Sequence, residues 1–461
     1  DYDYDAGGRL ELAGIRWTAS GLAETEPEET SEALGPSTHQ LRSFDYDGRG
    51  FLIRECHPEK GYTGTGTVGC VEYGGYDALG SSGTRRDGSD AFEVSFSYDL
   101  AGRLTQIRQG TATNPGPLLK EYFYGRANSG SNLLEGKLCQ AKRHNYLPDP
   151  ATGVATDFVV TETYRYEGPE GRLSHRRTTV SDQRLESGGA ESFDQSFSYD
   201  TLGNLADQDY PDCLHAPCAG QDPARQVSYL YNNGFLTGVP GFAKEITYHE
   251  NGAVHQVKHG DSVTDGATDI VSRDPSWLPR PQSLEVAAPG GAVLWSSGAY
   301  SFDGSGNIQG IGADQYYYDR VGRLVQASVS LGATTTVESY TYDQFGNLTS
   351  LGPSGSVRTY VIDPETNRIA DSGYSYDEAG NLITSPSGTF TYDAFGMVTT
   401  ATGTGKYEHY VYTPDDERIA QLDLQTQPPS LDWTLRGLDM KVLRTYSSGL
   451  AMGQERSTWR W

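Results

Sequence analysis

The sequence is poor in methionine and in positive charge. Three methionines and 36 lysines and arginines stand in 461 residues, against 61 aspartates and glutamates. The formal net charge of −25 repels phosphate backbones and anionic headgroups, and no basic run or aromatic-plus-Lys/Arg cluster offsets it. A nucleic-acid partner is therefore not expected. No apolar stretch approaches the ~20 residues of a membrane helix, so no membrane insertion is expected. No signal peptide is visible, and no helical periodicity persists over several turns, so little helix is expected. Hydrophobic residues make up 36%, too few for one thick core but enough for a thin sheet that buries one face.

Cysteine is scarce too. Cys56, Cys70, Cys139, Cys213 and Cys218 are odd in number and spread over a long chain, which excludes a disulfide framework. The loop from Cys213 to Cys218 could close a small disulfide in an oxidising compartment, hold two free thiols, or bind zinc with His215. Zinc needs more ligands at fixed spacing than are found there.

What is abundant is glycine (56) and tyrosine (31). Tyr and Thr suit a pleated, half-buried surface and Gly suits tight turns, so the bias favours β-structure. One pattern recurs along the chain: aromatic-x-aromatic-Asp-x-x-Gly-(Arg/Asn)-(Leu/Ile). It reads FSYDLAGRL with Tyr98, Asp99 and Gly102, and FSYDTLGNL with Tyr199, Asp200 and Gly203. It returns as YYYDRVGRL (Tyr318, Asp319, Gly322) and YTYDQFGNL (Tyr342, Asp343, Gly346). Two further copies are YSYDEAGNL (Tyr376, Asp377, Gly380) and FTYDAFGMV (Tyr392, Asp393, Gly396).

Each position has a physical reason. Aromatics two apart share one face of a strand. Asp accepts a backbone N–H two residues on and nucleates a turn. Gly three residues later supplies the positive φ of a tight hairpin, and the closing Leu or Ile starts the return strand near the aromatics. Each copy encodes one hairpin, and the repeated carboxylates are expected to be turn chemistry, not repeated catalytic sites. The pattern is less regular over about 110–162 and 260–295, which read as long hairpin tips or sheet crossings. The expected organisation is a single array over residues 1–461, with a domain boundary near 260–295 as the alternative.

No arrangement of nucleophile, base and orienter emerges, so no enzyme and no cofactor is expected. His255 and His259 stand four apart, a spacing that serves metal binding on a helix but less well on a strand. Acidic pairs such as Glu28–Glu29 and Asp415–Asp416 read as surface charge, because the Ca²⁺-loop spacing is missing.

These copies resemble the RHS/YD-repeat family, and the resemblance covers essentially the whole chain. VIDPETNRI (Val361 to Ile369) looks like a variant of the repeat, and DERIAQLD and WTLRGLDMKVLRTY look like the stretch before the RHS-associated core of bacterial Rhs toxins. The resemblance implies an all-β fold, a continuous spiralling sheet of antiparallel β-hairpins forming a hollow shell or part of one. It also implies a secreted or cell-surface bacterial protein. Its partners would be an encapsulated toxin domain outside this sequence and a secretion-system spike or other shell segments. An extracellular structural or adhesive role is the alternative. The chain starts inside a repeat and reads as part of a longer protein. The family's core segment and its Asp-Pro-x-Gly cleavage motif are not found, so self-cleavage is carried over to no residue.

Overall fold

The computed structural model describes residues 2–5, 7–16, 39–111, 113–148, 154–168, 170–181, 190–213, 225–261, 265–332, 334–426 and 430–449. Almost every described element is an antiparallel strand. The two helical turns are single 3₁₀ turns, Pro58–Lys60 and Asp90–Phe92. The expected fold class is the observed one, with one refinement: the hydrogen-bonded ladder is interrupted and divides into five sheets.

The repeat becomes a hairpin as its chemistry dictates. The strand Glu93–Tyr98 carries Phe96 and Tyr98, turns at Asp99–Arg103, and returns as Leu104–Gly110. The register slips by one residue at the same place in copy after copy. Ser97 faces Gln106 but Tyr98 faces Leu104, Thr341 faces Ser350 but Tyr342 faces Leu348, and Thr391 faces Thr400 but Tyr392 faces Val398. The extra residue sits just after the closing apolar one: Thr105, Thr349, Thr399. Such a bulge bends its strand and increases the local twist. The same deformation is therefore built into each hairpin.

The described chain divides into two compact units. The first comprises residues 1–195, 210–224 and 362–461, the second 196–209 and 225–361. In the first unit consecutive strands pair as neighbours from Tyr2–Tyr4 to Ala190–Tyr199, and a second sheet of eight strands runs from Ser375–Tyr376 to Val442–Gly449. These two sheets share a core. Burial alternates along Ala155–Glu167 and along Ser430–Arg436, as expected of strands with one face turned inward. Phe158, Val160, Val180 and Phe193 of the first sheet pack with Val411, Leu422, Trp433 and Tyr446 of the other. The Phe193 ring lies 5.3 Å from Trp433 and 5.8 Å from Tyr446. Burying each such side chain stabilises by about 1.5–3 kcal/mol.

The second unit is thinner. Its hairpins form sheets of two, five and seven strands, and its fully enclosed apolar side chains include the small Ala243, Ala287 and Ala327. Large apolar groups such as Leu294, Trp295, Tyr317 and Leu331 stand exposed. The described part of 265–296 is strand, Asp265–Arg273, Pro281–Ala287 and Val293–Ser296, joined by short connections.

Candidate functional site: the repeat turns and a buried charge cluster

In each turn one Asp carboxylate gathers the surrounding donors. Asp99 Oδ1 accepts the backbone N–H of Ala101 (2.9 Å) and of Arg103 (3.0 Å), while Oδ2 accepts Arg103 Nε at 2.8 Å. Asp319 repeats this with Val321 and Arg323. Asp200, Asp343 and Asp377 do the same with an asparagine, whose Nδ2 donates to Oδ2 at 2.9, 2.8 and 3.0 Å. Arg and Asn interchange in the motif because either brings one N–H to that oxygen. The Arg103 side chain, with the backbone, holds Asp99 below the ordinary aspartate range. The Asn204 side chain does so for Asp200, and the Arg323 backbone N–H leads for Asp319. Hydrogen bonds to the charged form favour it. Gly102, Gly203, Gly322, Gly346, Gly380 and Gly396 all have φ between +75° and +90°.

The second motif tyrosine has a partner that lies in the preceding strand pair. Its hydroxyl donates to a backbone carbonyl there: Tyr98 to Ser82, Tyr318 to Ile308, Tyr342 to Leu324 and Tyr392 to Leu382, at 2.8–2.9 Å. Tyr376 donates to Ile369 at 3.4 Å. Outside the six copies, Tyr124, Tyr166, Tyr248 and Tyr412, at or next to the ends of their strands, make the same bond. Tyr199 ends its strand opposite Leu205. The first aromatic needs no hydroxyl, and Phe stands there in three copies, at Phe96, Phe197 and Phe390. Sequence reasoning missed this bond because its acceptor is a backbone atom of another repeat.

One turn departs from the others. Met397 occupies the Arg/Asn position after Asp393 and offers no side-chain N–H. Asp393 Oδ1 keeps the backbone donors of Phe395 and Met397, but Oδ2 takes Arg143 from the strand Leu138–Pro148. Arg143 is fully buried. Beside it the buried Lys120 places Nζ 2.6 Å from Asp416 Oδ2, and Arg143 Nη2 lies 3.9 Å from Asp416 Oδ1. Both cations rest on the Phe395 ring, at 4.6 and 4.4 Å. Burial pushes the Asp393 carboxyl up against the opposing pull of Arg143, and burial holds the Lys120 ammonium below its ordinary range. Asp416 was expected to be surface charge. It is instead the counter-charge of a buried lysine, because its turn is laid against the other sheet of the same unit. The one readable sign was the missing donor at Met397.

Two other expectations fall differently. Cys213 ends a short strand opposite Phe193, but its side chain and all of Cys218 and His215 lie outside the described residues, as does Glu28–Glu29. The disulfide that is described joins Cys56 to Cys70, residues that face each other across neighbouring strands. Cys56 closes one strand and Cys70 opens the next, a signal passed over in favour of the shorter Cys213–Cys218 spacing. His255 and His259 both lie on the strand Val254–Gly260. His259 pairs with Asp269 at 2.7 Å. Among the described residues no group of three or more His, Cys, Asp or Glu could hold a metal, and no helix is long and apolar enough to cross a membrane.

Known proteins resemble this chain in sequence and in fold. A family model described as Teneurin YD-shell matches residues 312–427. Double-stranded DNA deaminase toxin A of Burkholderia cenocepacia is 26% identical over 446 residues, covering 84% of this chain and 29% of that protein. Toxin protein Tse5 of Pseudomonas aeruginosa is 30% identical over 230 residues, 45% of this chain and 17% of that protein. The chain thus spans less than a third of the length of the curated relatives it matches. Among solved structures, the Photorhabdus luminescens Tc holotoxin pore gives a TM-score of 0.55 at 15% identity, over 89% of this chain and 23% of that one. A crystal structure of TcdB2-TccC3 gives 0.58 at 16% identity, over 97% and 25%. These two likenesses concern the fold. The repeated turn, its bulge and these kinships together support the resemblance to the RHS/YD-repeat family, with residues 312–427 matching its YD-shell model.

Proposed function

We propose that this chain is a wall segment of a bacterial Rhs-type toxin, and that the wall encloses a cytotoxic C-terminal domain carried outside this sequence until delivery. The observation that carries this reading is the tyrosine stitch, which recurs in both units and ties hairpin after hairpin to the one before it. A stitched, bulged sheet is suited to act as a barrier. Its contribution is steric: it keeps protease and solvent from a cargo, with catalysis left to the cargo. The toxin names of the two relatives support the same reading. Delivery to another cell, through a secretion-system spike or with further shell segments, goes with it.

The test is limited proteolysis of the full native polypeptide, followed by mass spectrometry of whatever lies beyond residue 461. The expected result is that this downstream segment survives under native conditions and is digested once the wall is opened with denaturant. Digestion of that segment at the same rate in both conditions would overturn containment. It would leave a structural or adhesive role at the cell surface.

A further inference from the structure

We propose that Lys120 and Asp416 are the two halves of an intramolecular isopeptide bond. The ion pair described above brings the reacting groups together. Lys120 Nζ lies 2.6 Å from Asp416 Oδ2, and its side chain is only 6% exposed. Asp416 stands where the regular repeat has its turn glycine, three residues after Thr413, whose backbone accepts its N–H. It adopts φ +61°, the left-handed turn conformation that glycine takes in the regular copies and that aspartate tolerates better than most residues. That backbone delivers its carboxylate to the lysine.

The ionic form leaves polar atoms stranded. Asp416 Oδ1 is enclosed without a hydrogen-bond partner, and so are Arg143 Nε and Nη1. A buried ion pair with unsatisfied atoms bears a desolvation penalty that its attraction recovers only in good geometry. Condensation removes both charges of the Lys120–Asp416 pair and leaves Arg143 neutralised by Asp393. The amide oxygen it creates can then accept from the Arg143 guanidinium.

The neighbours supply the chemistry. Within the pair one ammonium proton passes from Nζ to Asp416 Oδ2, 2.6 Å away, and the resulting amine attacks Cγ. A second Nζ proton then moves to the same oxygen, the Cγ–O bond breaks and one water leaves, while the Nζ–Cγ bond remains. Asp393 holds the Arg143 guanidinium in place beside the reacting carboxyl. Arg143 Nη2, 3.9 Å from Oδ1, stabilises the oxygen that carries charge in the tetrahedral intermediate. Ammonium plus carboxylate has the same atoms and charge as amide plus water, so no oxidant or co-reactant is required. Burial shifts Lys120 towards the amine, the form that attacks. Phe395 covers the lysine, whose Nζ rests on its ring at 4.6 Å, while the Asp416 side chain is 33% exposed. The bond would span a separation of 296 residues and lock the two sheets of the first unit covalently.

The test is tryptic mass spectrometry of the full native polypeptide after reduction and unfolding. The expected product is the peptide Gln109–Arg126, uncut at Lys120, joined to Tyr407–Arg418 with the loss of one water. In reducing gels the looped chain should run faster than the Lys120→Arg variant, which keeps the charge but not the primary amine. Asp393→Asn should give the uncrosslinked peptides while Lys120 and Asp416 remain. Recovery from the unsubstituted protein of peptides cut after Lys120, with Tyr407–Arg418 at its full mass, would mean an ion pair only and overturn the proposal. This reading does not depend on whether the wall encloses a cargo.

Discussion

The Tyr342 hydroxyl donates to the backbone carbonyl of Leu324, 2.9 Å away in the return strand of the preceding hairpin. The bond explains why the second motif aromatic is tyrosine where the first can be phenylalanine. Tyr342→Phe keeps the ring and its packing and removes only this donor. The expected loss is about 0.5–1.5 kcal/mol, read from denaturant unfolding. Hydrogen exchange should rise around Leu324 and Leu348, while Phe390→Tyr or Phe197→Tyr should gain nothing comparable. Unchanged stability and exchange in Tyr342→Phe would show the stitch to be incidental.

Glycine substitutions separate strain from collision. Gly346 has φ +90° and open space where a Cβ would go, apart from Arg323 Nη1 at 3.9 Å. Gly346→Val therefore tests backbone strain alone, with an expected cost of about 1–3 kcal/mol. Gly88 also has a positive φ, and a Cβ there would lie 2.1 Å from the Glu378 carbonyl oxygen in the first unit. Gly88→Ala must push the Asp377–Gly380 turn away as well, so it should destabilise more than Gly346→Val. An unchanged melting temperature in Gly346→Val would contradict the turn assignment.

What could be read in the sequence was the local chemistry. Asp99, its two backbone donors and Gly102 lie within five residues of each other, so spacing alone encodes the turn. The Arg/Asn alternation was legible as a pattern, but not its cause, which is a shared N–H to Oδ2. The tyrosine stitch and the Cys56–Cys70 bridge were not legible, because each joins residues whose proximity comes from strand register. The charge cluster was further out of reach. Arg143 and Asp393 are 250 residues apart, and only the packing of two sheets brings them together. Met397, an apolar residue where a donor belongs, was the local sign that Asp393 is partnered elsewhere.

The turn carboxylates set a direction for pH dependence. Asp99, Asp200 and Asp319 have folded pKa values below the ordinary 3.8. Each therefore contributes stability that is present above the unfolded pKa and lost as pH falls through the folded one. Glu162 is the opposite case, since burial raises its carboxyl above 4.5. Its contribution is present below the unfolded value and lost as pH rises through its folded pKa. The repeats should dominate at the acid end by number. Denaturation midpoints should fall steadily below about pH 4, with faster exchange at the Ala101, Arg103, Leu202 and Asn204 amides. Amide protection in these turns that stays constant from about pH 4 to about pH 2 would refute the carboxylate account.

Arg143 and Asp393 should behave as a unit. Arg143→Met leaves Asp393 buried beside Asp416 without its main counter-charge, an expected loss of about 3–5 kcal/mol. Asp393→Leu strands Arg143 in the same way. The double variant removes both charges and fills the space with apolar atoms, so it should be far milder than the sum of the two. A double-mutant cycle on denaturation free energies reads the coupling directly. Additive losses would mean that the two residues matter separately, through packing on Phe395 rather than through each other.

The Cys56–Cys70 bridge closes a short loop, with a sequence separation of 14, around the 3₁₀ turn Pro58–Lys60 and the buried Tyr62. In the chain-entropy account, a loop of that size stabilises the folded state by about 3 kcal/mol, mainly by restricting the unfolded chain. The pair Cys56→Ala with Cys70→Ala should lose that amount, and reductant should lower the unsubstituted protein to nearly the same level. Lys60 gives the loss a local character. Its Nζ is held by Asp87 at 2.7 Å and donates to the Ala379 carbonyl at 3.2 Å, so loosening the loop should also loosen the Asp377–Gly380 turn. Hydrogen exchange should therefore rise at Ala379 and Asn381 in the variant, and not at the distant Ala101 turn. If exchange at the two turns rose equally, the bridge would be stabilising the whole unit and not this corner of it.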